Sequence, residues 1–183
     1  MQLQALLAET MVTLGSLARA VGPEHFSPEL AGRCLARGLE VARTAHAQEP
    51  GTRRGAFSMF GSLATVAGAE LGGGVLAGVV EELLLTVQST QGMVIEEAGA
   101  DNNENNHKEE AAISVQNSYA EEKVSALVAL NHLSSTCGEV FHPWLDQCYR
   151  EVSHLLNFPH YDVRAAAIEA WSVSRVEECW SYK

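Results

Sequence analysis

Apolar residues recur along most of the chain at steps of three and four, which is the spacing of one face of an α-helix. This pattern predicts six helices, over residues 2–21, 28–45, 52–67, 75–88, 119–135 and 141–156, and a seventh that begins near residue 162. No alternation typical of a strand continues beyond a few residues, so we expect an all-α fold of about seven antiparallel helices. In the first helix, the residues expected to face inward are Leu3, Leu6, Leu7, Met11, Leu14, Leu17 and Val21.

Two segments of the chain carry the same short motif. Gly15-Ser16-Leu17-Ala18 recurs as Gly61-Ser62-Leu63-Ala64, 46 positions later, and two further helical segments lie 41 positions apart when Lys123 is aligned with Arg164. A period of about 40 to 47 residues with two helices per unit is typical of HEAT and armadillo arrays. Such units bury their apolar faces by stacking, which predicts an α-α superhelix with an extended binding surface instead of a closed enzyme pocket.

The periodic pattern is interrupted between residues 95 and 118. This segment contains six acidic residues and one lysine, and low hydrophobicity with net charge predicts a disordered insertion. The expected organisation is therefore four repeat helices over 1–94, the acidic, Asn-rich insertion over 95–118, three repeat helices over 119–173, and an irregular tail over 174–183. The faces left uncovered at both ends suggest a fragment of a longer protein with a truncated tail.

The formal charge of −11 disfavours direct nucleic-acid binding, which requires a basic face. It is compatible with a basic partner, and the alternative interpretation is that it only keeps the protein soluble. Residues 57–80 resemble a membrane span because Glu70 is their only ionisable residue. The Gly72-Gly73-Gly74 triplet is better explained as a turn between two helices, so no membrane insertion is expected.

Little in the sequence indicates catalysis, a metal or a cofactor. The cysteines are all at least ten residues apart, and the histidines at 132, 142, 154 and 160 lack the spacing of metal ligands on one helix face. Reduced thiols are expected. Neither a phosphate-binding loop nor a nucleophile elbow is present, and the pairs Glu81-Glu82 and Glu121-Glu122 are interpreted as surface or capping charges. We therefore expect a binding protein with no catalytic residues, no metal and no cofactor.

One segment carries a recognisable signature. Phe158-Pro159-His160-Tyr161-Asp162-Val163-Arg164 followed by an alanine-rich helix resembles the second helix of a HEAT repeat. The chain as a whole resembles the HEAT-repeat importins of the karyopherin-β (importin-β) family. The matching blocks, residues 16–22, 85–92, 114–123 and 151–170, occur in the family's order.

The resemblance implies part of a nuclear import receptor that shuttles between cytoplasm and nucleus. Its implied partners are basic protein cargo such as histones or ribosomal proteins, with Ran-GTP and Phe-Gly nucleoporins bound through the full-length receptor. A HEAT-repeat scaffold for another multiprotein complex is the alternative, and an α-helical enzyme domain is a third interpretation.

The resemblance also implies roles for particular residues. Asp162 and Arg164 are expected to form a ladder of contacts between adjacent second helices, with helices one, three, five and seven on the inner side and two, four and six on the outer. Trp144 and Trp171 could line grooves for Phe-Gly repeats, or belong to the core. The acidic insertion could contact basic cargo or be a solvated loop, and its candidate residues are Glu96, Glu97, Asp101, Glu104, Glu109 and Glu110.

Overall fold

A computed structural model describes residues 2–45, 50–96 and 112–180 of the chain. The helices are α1 (Gln2–Val21), α2 (Pro28–Thr44), α3 (Pro50–Ala67), α4 (Gly73–Gln88), α5 (Asn117–Thr136), α6 (Leu145–His154) and α7 (Tyr161–Trp180). Two short strands, β1 (Met93–Glu96) and β2 (Ala112–Val115), lie between α4 and α5. The predicted all-α architecture of seven helices packed side by side is confirmed, with this small hairpin added.

Local sequence signals explain where the helices begin and end. Ser27 is the N-cap of α2, where its Oγ accepts a hydrogen bond from the Leu30 amide at 3.2 Å, and Pro28 occupies the first turn, where no backbone donor is needed. Gly22 ends α1 with a φ of 73°, a conformation that glycine adopts without steric cost.

The helices form two rows. In one row α1, α3, α5 and α7 pack in succession, and in the other α2 packs on α4 and α4 on α6. The rows are joined because α2 packs on α3, α4 on α5 and α6 on α7. The structure therefore contains three helix pairs, α2–α3, α4–α5 and α6–α7, which we call repeats A, B and C, with α1 packed on α3.

The core follows the seam between the two rows. Its largest fully buried side chains come mostly from the middle helices and include Phe57, Phe60, Leu76, Leu83 and Leu127. None of the described helices combines the length and the apolar character that a bilayer-spanning segment needs.

The prediction of which α1 residues face the interior is largely wrong. Leu3, Leu6 and Leu17 are 77%, 64% and 54% exposed, whereas Met11 and Ala18 are buried and Gly15 lies against Met59 and Ser62 of α3. The apolar stripe of α1 is wider than the face that α3 covers, and periodicity alone does not reveal which part of a stripe has a neighbour.

The prediction for the segment around α6 needs a smaller correction. A continuous helix was expected over residues 141–156, but 3₁₀ turns occupy Gly138–Val140, His142–Trp144 and Leu155–Asn157, and only Leu145–His154 is α-helical. Pro143 lacks the backbone donor that a continuous helix requires.

The bounds predicted for the disordered insertion and for the irregular tail differ from the structure. The insertion predicted as disordered over 95–118 begins with β1 and ends with β2 and the first turn of α5, while its centre lies outside the described residues. The tail predicted to be irregular from residue 174 continues α7 as far as Trp180. No glycine or proline interrupts residues 172–180, so the sequence contains no stop signal there.

A glycine sets the closest approach between α1 and α3. A Cβ atom built on Gly55 would lie 2.8 Å from the carbonyl oxygen and 2.9 Å from the Cα of Ala8, both of which are backbone atoms that cannot rotate away. We expect Gly55→Leu to lower the free energy of unfolding by about 1 to 3 kcal/mol, because α1 must move away from α3.

The matched control for this prediction is Gly51→Ala in the first turn of the same helix, where an added Cβ meets no atom within 4 Å. We expect that change to be neutral or slightly stabilising, since alanine favours the helix over glycine. Equal effects of the two substitutions in urea unfolding would contradict the close approach.

Candidate functional site

A cluster of charged side chains is buried where repeats A and B meet. Its members are Arg53 on α3, Glu82 and Thr86 on α4, and Glu122 and Lys123 on α5. Glu82, Glu122 and Lys123 are only 5%, 7% and 4% exposed. Buried charges are tolerated when they are paired and hydrogen-bonded, and this cluster satisfies both conditions.

Arg53 is the centre of the cluster. Its guanidinium lies 2.9 Å from a Glu82 carboxylate oxygen and 2.7 Å from one of Glu122, and it donates to Thr86 Oγ1 at 2.6 Å. It also reaches the carbonyl of Ala42 near the end of α2 at 3.4 Å. One planar fork of donors thus links four helices, which a lysine could not do.

Lys123 closes the end of α4. Its ammonium donates to the carbonyl oxygens of Thr86, Val87 and Ser89, each at 2.8 Å, and lies 5.4 Å from the centroid of the Phe158 ring. These carbonyls lie at the helix C-terminus, where a cation is favourable. Burial nevertheless lowers the pKa of Lys123 to about 8, against the opposing attraction of Glu122.

The carboxyl of Glu122 responds to the same environment in the opposite sense. Burial raises its pKa above the usual value, while the charge and hydrogen bond of Arg53 act to lower it. Desolvation is therefore the larger effect, and Arg53 is the main influence that opposes it and favours the ionised carboxylate.

The interpretation of Glu81-Glu82 and Glu121-Glu122 as surface or capping charges is wrong for one residue of each pair. Glu81 and Glu121 are exposed, as expected of surface charges, and they pair with Arg43 and Arg54. Glu82 and Glu122 belong instead to the buried cluster. The burial of Glu82 could have been predicted from the sequence, because Glu82 falls within the apolar stripe of α4, between Val79 and Leu83.

The two residues expected to form the HEAT ladder are placed differently from each other. Arg164 donates to the carbonyls of Phe158 and Pro159, at 2.7 and 2.8 Å, so its contacts stay within repeat C. Asp162 lies beside Arg54 and Glu121 in a shallow depression at the N-terminal ends of α3, α5 and α7. Ionic links between adjacent helices of this row are made instead by Arg53 with Glu122 and by Arg54 with Glu121, both between α3 and α5.

The acidic candidates lie at or beyond the edge of the described chain. Glu96 is the last residue of β1, and Glu97, Asp101, Glu104, Glu109 and Glu110 fall outside the described residues. The structure does show where the insertion leaves the repeats, because Lys123 holds the Ser89 carbonyl just before β1, and Gly92, with a φ of 77°, packs against Tyr119. The buried cluster and the base of the insertion are therefore adjacent.

A groove lies between α4 and the start of α6. It has a volume of about 450 Å³ and is lined by Ala77, Gly78, Glu81, Leu84, Leu85, Gln88, Trp144 and Gln147. Trp144 is half-buried, with its ring centroid 6.0 Å from that of Phe141. It contributes to the core and to the groove wall at once, whereas the side chain of Trp171 lies outside the described part.

The thiols of Cys34, Cys137 and Cys148 are free, and their reactivity can be predicted from burial. Cys34 is half-buried, while Cys137 and Cys148 are buried. Burial raises the pKa of Cys148 to about 12, from an ordinary value of 9.0, and also raises the pKa values of Cys34 and Cys137. Across residues 2–45, 50–96 and 112–180, no three potential metal ligands among His, Cys, Asp and Glu come together.

We expect Cys148 to react with iodoacetamide at pH 8 about a thousandfold more slowly than an ordinary exposed thiol, because the reactive species is the thiolate. Peptide mapping after timed alkylation measures this rate, and Cys34 is the internal comparison because its thiol is more accessible. Both thiols should react readily in urea. Native labelling of Cys148 as fast as Cys34 would show that the α6 face opens.

The sequence was compared with known proteins. No family model matches the chain. Importin-4 of Mus musculus is 32% identical over an alignment of 184 positions, which spans 88% of this chain and 16% of the mouse protein. Importin-4 of Homo sapiens is 31% identical over an alignment of 189 positions, which spans 92% of this chain and 17% of the human protein. The chain therefore spans about a sixth of the length of these relatives, and over that span it is homologous to Importin-4 of the importin-β family.

Proposed function

We propose that this chain acts as a segment of a nuclear import receptor, which binds basic protein cargo and shuttles between cytoplasm and nucleus under Ran-GTP control. The observation that carries the proposal is the similarity to Importin-4 along some nine-tenths of the chain. The two rows of stacked helices supply the extended surface that such binding uses. The proposed activity is binding alone, without catalysis.

The chemistry of the proposed cargo follows from charge. The chain has a formal charge of −11, and six acids fall within residues 95–118. A negative surface attracts basic segments over distances of about 10 Å at 0.1 M salt. We propose that the insertion contributes through Glu96, Glu97, Asp101, Glu104, Glu109 and Glu110.

The test uses core histones as the basic cargo and a variant in which Glu97, Asp101, Glu104, Glu109 and Glu110 are changed to their amides. We expect the variant to bind histones several-fold more weakly at low salt, and its affinity to depend less steeply on salt. The amides keep the size of the side chains and remove only charge. Unchanged affinity and unchanged salt dependence would remove the insertion from the cargo site.

A chimaera tests the receptor proposal itself. The aligned sixth of mouse Importin-4 is replaced by this chain, and import of fluorescent histone is followed in permeabilised cells with Ran-GTP. We expect import to continue in the chimaera. A chimaera that folds but neither imports histone nor releases it to Ran-GTP would favour the alternative, a HEAT-repeat scaffold for another complex.

The groove beside Trp144 is the proposed contact for Phe-Gly nucleoporins. Its half-buried indole and the leucines of α4 form an apolar wall with polar ends at Glu81 and Gln88, which suits a single phenylalanine ring. The proposal predicts that a Phe-Gly peptide quenches Trp144 fluorescence and that a Ser-Gly peptide does not.

A further inference from the structure

The hairpin formed by β1 and β2 carries an inference beyond cargo attraction by charge. The strands pair antiparallel with Met93 opposite Val115 and Glu96 opposite Ala112, and within the described residues they form a two-stranded sheet. Met93 and Val115 pack against the core, so the base of the hairpin is anchored on the repeats. Val94, on the other face, is 43% exposed.

The register shows which backbone groups face away from the partner strand. The Gln116 amide donates to the Gly92 carbonyl at 2.9 Å, which makes these two opposite residues a hydrogen-bonded pair. In an antiparallel ladder such pairs alternate with non-hydrogen-bonded pairs. The groups of Ile113 therefore point outward from β2, and those of Ile95, directly opposite in the register, point outward from β1.

The two outer edges are not equivalent. On β1, the outward amide of Met93 already donates to the Thr90 carbonyl at 3.2 Å, within the turn that precedes the strand. On β2, both Ile113 and Val115 present outward groups along the edge. Residues 112–115 contain neither a charge nor a proline, the devices by which exposed edges are usually protected from pairing.

The charge of the chain, −11 in total, selects the partner. The residues that join the two strands carry Glu97, Asp101, Glu104, Glu109 and Glu110 against Lys108 alone, and Glu96 ends β1. An acidic segment that approached the edge would meet this field unfavourably, whereas a basic one would be attracted. Main-chain hydrogen bonds to an open edge give affinity for an extended peptide of any sequence, so charge supplies the selectivity.

We propose that the outer edge of β2 binds an extended, basic segment of a protein partner as an added strand. This inference rests on the proposed cargo-binding function and gives that function a mode of recognition. It places the binding site on a backbone edge that is fixed to repeat B.

The test uses the 183-residue chain and a peptide of alternating lysine and threonine, about twelve residues long, with binding measured by fluorescence anisotropy. Ile113→Pro removes the outward donor of β2 without removing a β1–β2 hydrogen bond, and should weaken binding about fivefold or more. Ile95→Pro, at the paired position on the opposite edge, is the matched control and should bind as the wild type does.

A second peptide separates strand pairing from charge. The same lysine–threonine peptide with N-methyl groups on alternate residues keeps its charge but loses the donors that pair with the edge. It should bind the wild type about as weakly as the unmodified peptide binds Ile113→Pro. Amide exchange of Val94 and Ser114, which pair across the ladder, shows whether the hairpin persists in the proline variants.

Four results would overturn the edge proposal. Ile113→Pro could keep wild-type affinity, both proline variants could lose binding equally with the hairpin intact, or N-methylation could have no effect. The fourth result concerns dimers. If the wild type sediments as a dimer, and Ile113→Pro dissociates that dimer without changing peptide binding, the edge pairs with a second copy of this chain and not with a basic segment. If one of these results is found but the wild type still binds histones, only the edge proposal fails and the proposed function stands. If the wild type does not bind histones, the proposed function is contradicted.

Discussion

Replacing Arg53 with methionine is expected to lower the free energy of unfolding by about 3 to 5 kcal/mol. Methionine keeps much of the aliphatic stem but leaves the buried Glu122 without its ion-pair partner and Glu82 with only the longer contact to Arg43 at 3.5 Å. Most of the loss in free energy of unfolding arises because buried carboxylates are left uncompensated, and less because the attraction to Arg53 is removed. Urea unfolding followed by circular dichroism measures it.

Arg54→Met is the matched control. Arg54 is the next residue, and it also pairs with a glutamate on α5, but its side chain is 48% exposed and that of Glu121 is 56% exposed. An exposed pair contributes about 0 to 1 kcal/mol, so the two variants should differ clearly. Equal effects would mean that the buried cluster adds nothing to stability.

The same variant should have a characteristic pH dependence. Burial already raises the pKa of Glu122, and removal of Arg53 raises it further because the lowering influence is lost. The folded variant then holds a proton more tightly than the unfolded chain, so its stability falls as pH rises from the unfolded pKa through the folded one. The deficit relative to the wild type should therefore be smaller at pH 5 than at pH 8.

Phe60→Ala is expected to cost about 3 to 5 kcal/mol, the usual range for removing a fully buried aromatic ring. Phe60 is 0% exposed, its ring centroid lies 6.0 Å from that of Phe57, and its ring fills the space above Gly38 on α2. The cavity would open between the two rows of helices, where neighbours on both sides are held by the stack. Urea unfolding is again the measurement.

Leu17→Ala is the control for this second change. Leu17 is apolar and helical like Phe60, and the sequence pattern predicted it to face the interior, but it is 54% exposed. We expect a cost below about 1 kcal/mol. A cost comparable with that of Phe60→Ala would show that α1 is covered by another molecule, for example in a dimer.

The sequence predicted the helices because their periodicity depends on each segment alone. The bounds of α1 and the N-cap of α2 follow from local signals such as Gly22 and Ser27. The exposure of Leu17 could not be predicted in the same way, because it depends on whether a neighbouring helix covers that side of α1. Periodicity describes the width of an apolar stripe, whereas packing decides which part of it is used.

The candidate site was harder to predict for a related reason. Adjacent glutamates such as Glu81 and Glu82 are chemically identical, and only their positions against α2, α3 and α5 separate an exposed residue from a buried one. The role of Arg53 depends on residues 29 and 69 positions further along the chain, Glu82 and Glu122, which no local pattern connects. The alignment of Lys123 with Arg164 did carry information, since both cations bind backbone carbonyls, at the end of α4 for Lys123 and just beyond the 3₁₀ turn that follows α6 for Arg164.

The hairpin escaped prediction because its strands are four residues each and lie beside an acidic, Asn-rich stretch. Composition averaged over the insertion indicates disorder, and the short apolar ends are lost in that average. Met93 and Val115 become ordered because they contact the helical core, which is a tertiary effect.

The placement of the ion pairs gives the two junctions between repeats unequal elasticity. In the described part of the chain, the A–B junction is crossed by the pairs that Arg43, Arg53 and Arg54 make with glutamates, whereas the B–C junction has the contact of Lys123 with the Phe158 ring. Charged hydrogen bonds are directional, and apolar surfaces slide more easily over one another. Bending of the solenoid should therefore concentrate between repeats B and C, so that repeat C swings as a unit while A and B, with the root of the hairpin, keep a fixed curvature.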